Sequence, residues 1–367
     1  MPDPPPALIV LTVPGRLDRV EADAERLHRL RAAGSSVTEV RPAPRCVWWA
    51  DDDDRREEAE PGDLVWSGRF PVRRRRARVV EAVRAAGVGG AAVHAVGAAA
   101  WPEAAAIGRL LDAGVLLGAR EEAAIPAARR LVRLLNPTRC VLVAETEPLA
   151  EALREATDNL LVVEAVPPPV PERAPCPRRR AAGEPLLVAV PLAAGASGLP
   201  ELLSGLGGAL DARPEAEVQL LLMGRTTDLS AAYRAAAAAG RLGRVSAAPT
   251  RPEAGGVPFH AVLSGVHALA SPAATPLEEP PAVLEAEALG LPVLEPAGGS
   301  PRPGGVARPL PAAPGADAWA AVLGWLFDDP RGAEAAGAAT RDAVRAERGV
   351  AASDARLLHL AGLVAGA

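Results

Sequence analysis

Glu278, Glu279 and Glu285 bracket a Pro-Pro step, and Pro281 to Leu289 behind it reads as a helix with Glu285 early on it. A carboxylate near a helix N-terminus is favoured by the helix dipole whether it binds a ligand or faces solvent. The other chemistry-bearing clusters are fewer. Asp51 to Asp54 has the Asp-x-Asp spacing that can hold a divalent cation, but Arg55-Arg-Glu-Glu58 follows, so a self-neutralising charged loop accounts for it. His260 and His267 have no third ligand beside them, and Cys46, Cys140 and Cys176 form no Cys-x-x-Cys pair, so no metal is assigned. Trp48 and Trp49 are adjacent aromatics suited to packing or to stacking on a sugar. Arg73 to Arg76, with Arg78, opens a helix as a solvated face or as a basic patch for an anionic membrane surface.

All 40 basic residues are arginine. The absence of lysine excludes Schiff-base chemistry, the Gly-Lys-Ser/Thr phosphate loop and the kinase lysine. A formal charge of −5 argues against a general attraction to nucleic acid. Three scattered cysteines fit a reducing compartment, and the first apolar run, Ala7 to Val13, is strand length. A cytoplasmic protein is expected.

A chain of 367 residues predicts two cores. Apolar runs the length of buried strands alternate with helical stretches from Ala7 to Val163, are broken by the proline-rich Val166 to Pro177, and resume at Pro185. This alternation predicts an α/β protein of two Rossmann-like, doubly wound domains. The expected divisions are residues 1–165, a linker over 166–183, a second domain over 184–350 and a final helix over 351–367.

Leu284-Glu-Ala-Glu-Ala-Leu-Gly-Leu-Pro-Val-Leu294 followed by Ala297-Gly-Gly299 resembles the Glu-Ala-x-Ala-x-Gly-x-Pro-Val and Gly-Gly turn of the family 4 glycosyltransferases of GT-B fold. Leu222-Met-Gly224, Leu242-Gly-Arg-Val245, Val166-Pro-Pro-Pro-Val-Pro171 and Asp328-Asp-Pro330 are similar to further family segments, so the likeness spans most of the chain. The resemblance implies two domains facing across a cleft, with the acceptor on the first and a nucleoside diphosphate sugar on the second. It also implies a last helix returning to the first domain and no metal or other cofactor. Residue by residue, it makes Glu285 the ribose-binding glutamate and gives Gly298 and Gly299 a close backbone approach to sugar or phosphate. Gly15 matches the N-terminal glycine loop, and His94 resembles a family histidine.

The chain departs from the pattern at three places. The family's earlier glutamate falls on Leu277, with Glu278 one position later. Pro191 to Ser197, where the family carries an arginine and a lysine against the diphosphate, contains no basic residue, and Arg225 is the nearest substitute. Leu116-Leu-Gly-Ala119 stands where the family often has a histidine. The expected activity is transfer of a hexosyl unit, with retention of configuration, to a glycan, lipid or small-molecule acceptor. The alternatives are an inactive binding or assembly module and, third, a nucleotide-sugar epimerase of the same fold.

Overall fold

The structure, a computed structural model, describes residues 7–12, 20–42, 64–66, 72–85, 91–135, 139–175, 180–181, 183–192, 196–224, 226–249, 259–273, 277–278, 280–295 and 315–366. Contacts divide the chain into unit 1, Met1–Pro167 with Ser353–Ala367, and unit 2, Pro168–Ala352.

Unit 1 is built on β1 (Leu8–Thr12), β2 (Val37–Pro42), β3 (Leu64–Trp66), β4 (Ala92–Val96), β5 (Gly114–Ala119), β6 (Cys140–Ala144) and β7 (Val162–Ala165). They form one sheet in the order β3-β2-β1-β4-β5-β6-β7, with every described pairing parallel. Helices α1 (Val20–Ala32), α2 (Val72–Ala85), α3 (Trp101–Leu111), α4 (Ala124–Leu131) and α5 (Glu147–Ala156) supply the crossovers. A parallel sheet covered on both faces needs strands apolar on both sides, and β5 and β6 are buried at every position. The Cys140 thiol lies in this core, where burial pushes its pKa up to about 12.

Unit 2 repeats the plan with β8 (Leu186–Pro191), β9 (Val218–Gly224), β10 (Val245–Pro249), β11 (Ala268–Ala270) and β12 (Val293–Leu294), ordered β10-β9-β8-β11-β12 and again parallel. Its helices are α6 (Leu199–Asp211), α7 (Thr226–Ala238), α8 (Phe259–Leu263), α9 (Pro281–Leu289), α10 (Ala316–Asp328) and α11 (Pro330–Glu347). Leu202, Leu206, Leu220, Trp319 and Leu323 centre the core on one face, and Leu263, Leu269, Val283 and Ala286 that on the other. In each sheet the first strand lies inside and the order reverses beside it, between β1 and β4 and between β8 and β11. Ligands of open α/β sheets bind beyond the carboxyl ends of the strands at such switch points.

The proline-rich strap is ordered where it is described. The Val166 N–H bonds to the Ala144 carbonyl at 2.8 Å, and the Val170 N–H to that of Arg348 at 3.1 Å. Val170 also packs with Leu284, Ala288 and Val344 in a small cluster of unit 2. Prolines cannot donate, so the strap is anchored by its few N–H groups, its valines and carbonyls that accept from side chains such as Ser353.

The last helix, α12 (Val350–Ala365), sends Leu357, Leu360, Ala361 and Val364 into the unit 1 core beside Leu8 and Leu116. Arg26 Nε and Arg29 Nε donate to the two carboxylate oxygens of Asp354 at 3.0 and 3.1 Å. Asp354→Ala would leave two guanidinium groups without that carboxylate. The expected loss is about 1–3 kcal/mol, below that of a fully buried pair because Arg29 is 30% exposed. Urea unfolding measures it, and an unchanged midpoint would mean that apolar packing alone docks the helix.

Candidate active site

Helix α9 owes its limits to its sequence: Pro281 tolerates the first turn, and Gly290 takes the left-handed conformation, φ 79°, that stops it. It lies between α8 on one side and α11 on the other, so seven of its residues are buried, from Ala282 to Leu289 with only Glu285 excepted. Glu285 therefore occupies the one wetter stripe of the helix. Its carboxylate meets the strap, where Arg173 Nε donates to Oε2 at 3.1 Å and Nη2 to Oε1 at 3.1 Å. The pair is two-pronged and mostly enclosed, with side-chain exposures of 24% for Arg173 and 15% for Glu285. Arg345 of α11 holds the Arg173 carbonyl through Nη2, and the same nitrogen reaches the Ala288 carbonyl at 3.3 Å.

The carboxyl ends of β8 and β11 approach closely. Gly198, which precedes α6, has φ 72°, and a Cβ there would lie 2.4 Å from the carbonyl oxygen of Pro272, just past β11. The half-buried Glu278 and the start of α9 lie on the same connection out of β11. The structure thus places Glu278 and Glu285 on one β-loop-α connection at the switch point of unit 2. Arg225, Gly298, Gly299 and Gly15 lie outside the described residues, as do Asp51 to Asp54, Trp48, Trp49, Cys46 and Cys176.

His94 belongs to unit 1. It is buried on β4 between Val10 and Leu116, with Nε2 3.5 Å from where a Gly118 Cβ would stand. What excludes a side chain at Gly118 is the Ala95 carbonyl oxygen, 2.8 Å from where its Cβ would stand, and not the imidazole, which would be in ordinary contact. At the same carboxyl edge, Arg120 Nε and Glu145 Oε1 pair at 2.9 Å with exposures of 21% and 11%, directly after β5 and β6. Enclosed ion pairs are weak evidence for stability. Neither Arg120 nor Arg173 stands out in the sequence, because each partner comes from a different segment.

His267 Nδ1 accepts from the Leu187 N–H at 3.0 Å, so the neutral ring carries its proton on Nε2. His260 lies apart on α8. Arg76 pairs with Glu103 at 2.5 Å, and Arg78 is exposed on the same helix. Among the described residues no group of three or more His, Cys, Asp or Glu is placed to hold a metal, and no helix is long and apolar enough to cross a membrane. A groove of about 690 Å³ opens at the amino ends of the unit 2 strands, lined in part by Arg180, Leu186, His267, Leu326 and Arg331. His267 lines it, whereas Glu278, Glu285 and His94 do not.

Two doubly wound parallel sheets in one chain, with an α12 that returns to the first, are the architecture of the GT-B glycosyltransferases. Known structures of this class superpose over nearly the whole chain. The Anabaena protein Alr3699/HepE in complex with UDP-glucose matches at TM-score 0.70 and 12% identity, over 96% of this chain and 98% of that one. The lipopolysaccharide outer core galactosyltransferase WaaB matches at 0.64 and 13% identity, over 96% and 99%. The α,α-trehalose 6-phosphate synthase of Burkholderia multivorans matches at 0.69 and 13% identity, over 98% of each chain. No family model and no curated protein matches the sequence. At these identities the likeness establishes the fold.

Proposed function

We propose that this protein is a glycosyltransferase moving a hexosyl unit from a nucleoside diphosphate sugar to an acceptor with retention of configuration. The observation that carries the proposal is the placement of Glu278 and Glu285 on the connection out of β11, at the switch point of a GT-B second unit. The neighbours described as bound to UDP-glucose or named for sugar transfer support the same reading.

In this reading unit 2 holds the donor. Glu285 accepts hydrogen bonds from the ribose diol and Glu278 from sugar hydroxyls, as an ionised carboxylate offers acceptors only. Gly298 and Gly299 let backbone N–H groups approach the diphosphate, and Arg225 adds charge to the leaving group. Unit 1 holds the acceptor at its carboxyl edge, with Gly15 and His94 in the roles the resemblance gives them and the Arg120–Glu145 pair beside β5 and β6. Arg73 to Arg78 bring the protein to an anionic membrane surface when the acceptor is a lipid. Catalysis is positioning and electrostatic stabilisation of departing diphosphate, with no side chain required as a covalent nucleophile.

A panel of UDP-, GDP- and ADP-sugars read by thermal shift tests the proposal. A donor present at about 100 times its dissociation constant adds about 2.7 kcal/mol of stability. Glu285→Gln is expected to weaken that donor at least about tenfold, the scale of one charge-assisted hydrogen bond. The bidentate Arg173 contact favours one second reading, a module of the same fold whose carboxylate is committed to structure. No shift with any donor would select it.

A further inference from the structure

In the free protein Glu285 is already engaged. Nε and Nη2 of Arg173 form two nearly parallel N–H bonds to its two oxygens, each 3.1 Å long. A vicinal ribose diol is likewise a fork of two donors, and its spacing matches the same pair of carboxylate oxygens. One carboxylate edge cannot serve both. Building on the donor reading above, we infer that Arg173 competes with the nucleotide ribose for Glu285, so that the strap sets the affinity for donor.

Three features make the competitor effective. The strap backbone is fixed, because Arg345 holds the Arg173 carbonyl and the Arg348 carbonyl accepts from Val170 at 3.1 Å. Val170 is itself buried with Leu284, Ala288 and Val344, one turn of α9 from the pair. The guanidinium is thus presented at a high effective concentration that a ligand in solution must overcome. The pair is also largely withdrawn from water, where a charge-assisted fork is worth more than on an open surface. Displacement then requires only the arginine side chain to rotate away, since the backbone that carries it is tied on both sides.

The competition reverses an ordinary electrostatic expectation. Removing an arginine near a diphosphate site weakens anion binding when the arginine acts through its charge. Removing a competitor strengthens binding, and only for ligands that carry the diol.

The test uses calorimetric titration of the full chain with UDP, GDP and ADP and with the 2′,3′-dideoxy form of whichever binds. Arg173→Met keeps the apolar stem of the side chain, Arg173→Gln is a second variant against local unfolding, and circular dichroism confirms that each is folded. We expect Arg173→Met to bind the nucleotide about tenfold tighter than the natural chain, the scale of one lost charge-assisted fork. The dideoxy nucleotide is expected to show no gain, and neither is the pair of substitutions Arg173→Met with Glu285→Gln. Binding detectable only after Arg173 is replaced is the same outcome in its extreme form. Equal or weaker binding by folded variants, or a gain that persists with the dideoxy nucleotide, overturns the inference while the donor reading stands. Binding of no nucleotide by any of the proteins removes the donor reading and this inference with it.

Discussion

Trp101→Ala is expected to lower the stability of unit 1 by about 3–5 kcal/mol, the usual loss for truncating a buried tryptophan. Trp101 opens α3, is wholly inaccessible to solvent and donates from Nε1 to the Gly118 carbonyl at 3.0 Å. The same carbonyl accepts from the Gly97 N–H at 3.1 Å, so most of the cost comes from the cavity and not from an orphaned acceptor. Trp101→Phe, which keeps much of the volume, is expected to cost less than half as much. Urea unfolding followed by circular dichroism decides it, and a loss under about 1 kcal/mol for the alanine variant would contradict the packing described.

The second large effect is expected at Gly198, where alanine meets two penalties at once. Its φ of 72° is costly for a side chain, and the added Cβ would overlap the Pro272 carbonyl oxygen at 2.4 Å. Together these are worth about 2–5 kcal/mol in unit 2. Gly34→Ala separates the two terms, since Gly34 has φ 86° but nothing within 4 Å of the new Cβ. It is expected to cost only about 1–2 kcal/mol. If both alanines cost the same, the close approach at the switch point is relieved by small movements and is not a constraint. If the approach is rigid, Gly198→Ala also weakens nucleotide binding in protein that remains folded.

Much of the fold was open to inspection in the residues themselves. Ala7 to Val13 and Pro185 to Leu192 are apolar without alternation, as strands covered on both faces must be, and they became β1 and β8. Helix α9 spans the residues expected, because Pro280-Pro281 marks its start and Gly290 stops it in the left-handed conformation. Strand β3 carries no readable period in three residues, and α2 begins at Val72, one residue before the arginine run that opens it in the sequence. The site was legible only by half. Glu285 is recognisable from its neighbours in sequence, but its partner Arg173 lies 112 residues away in a segment read as a linker. Nothing local tells a tethering arginine from a solvated one. The strain at Gly198 was hidden as well, since a glycine in a string shows neither its φ nor what faces it.

The route of the chain has a consequence for biosynthesis. Unit 1 is interrupted after Pro167 and resumed at Ser353, and the Ser353 hydroxyl bonds to the Pro167 carbonyl at 3.1 Å, so the outgoing and returning segments are neighbours. Unit 2 is in effect a guest inserted into its host. A ribosome that delivers residues in order completes the guest while the host still lacks Leu357, Leu360 and Val364. The usual sequence of co-translational folding, first domain first, is therefore inverted, and the earliest-made sheet waits longest with part of its apolar face bare.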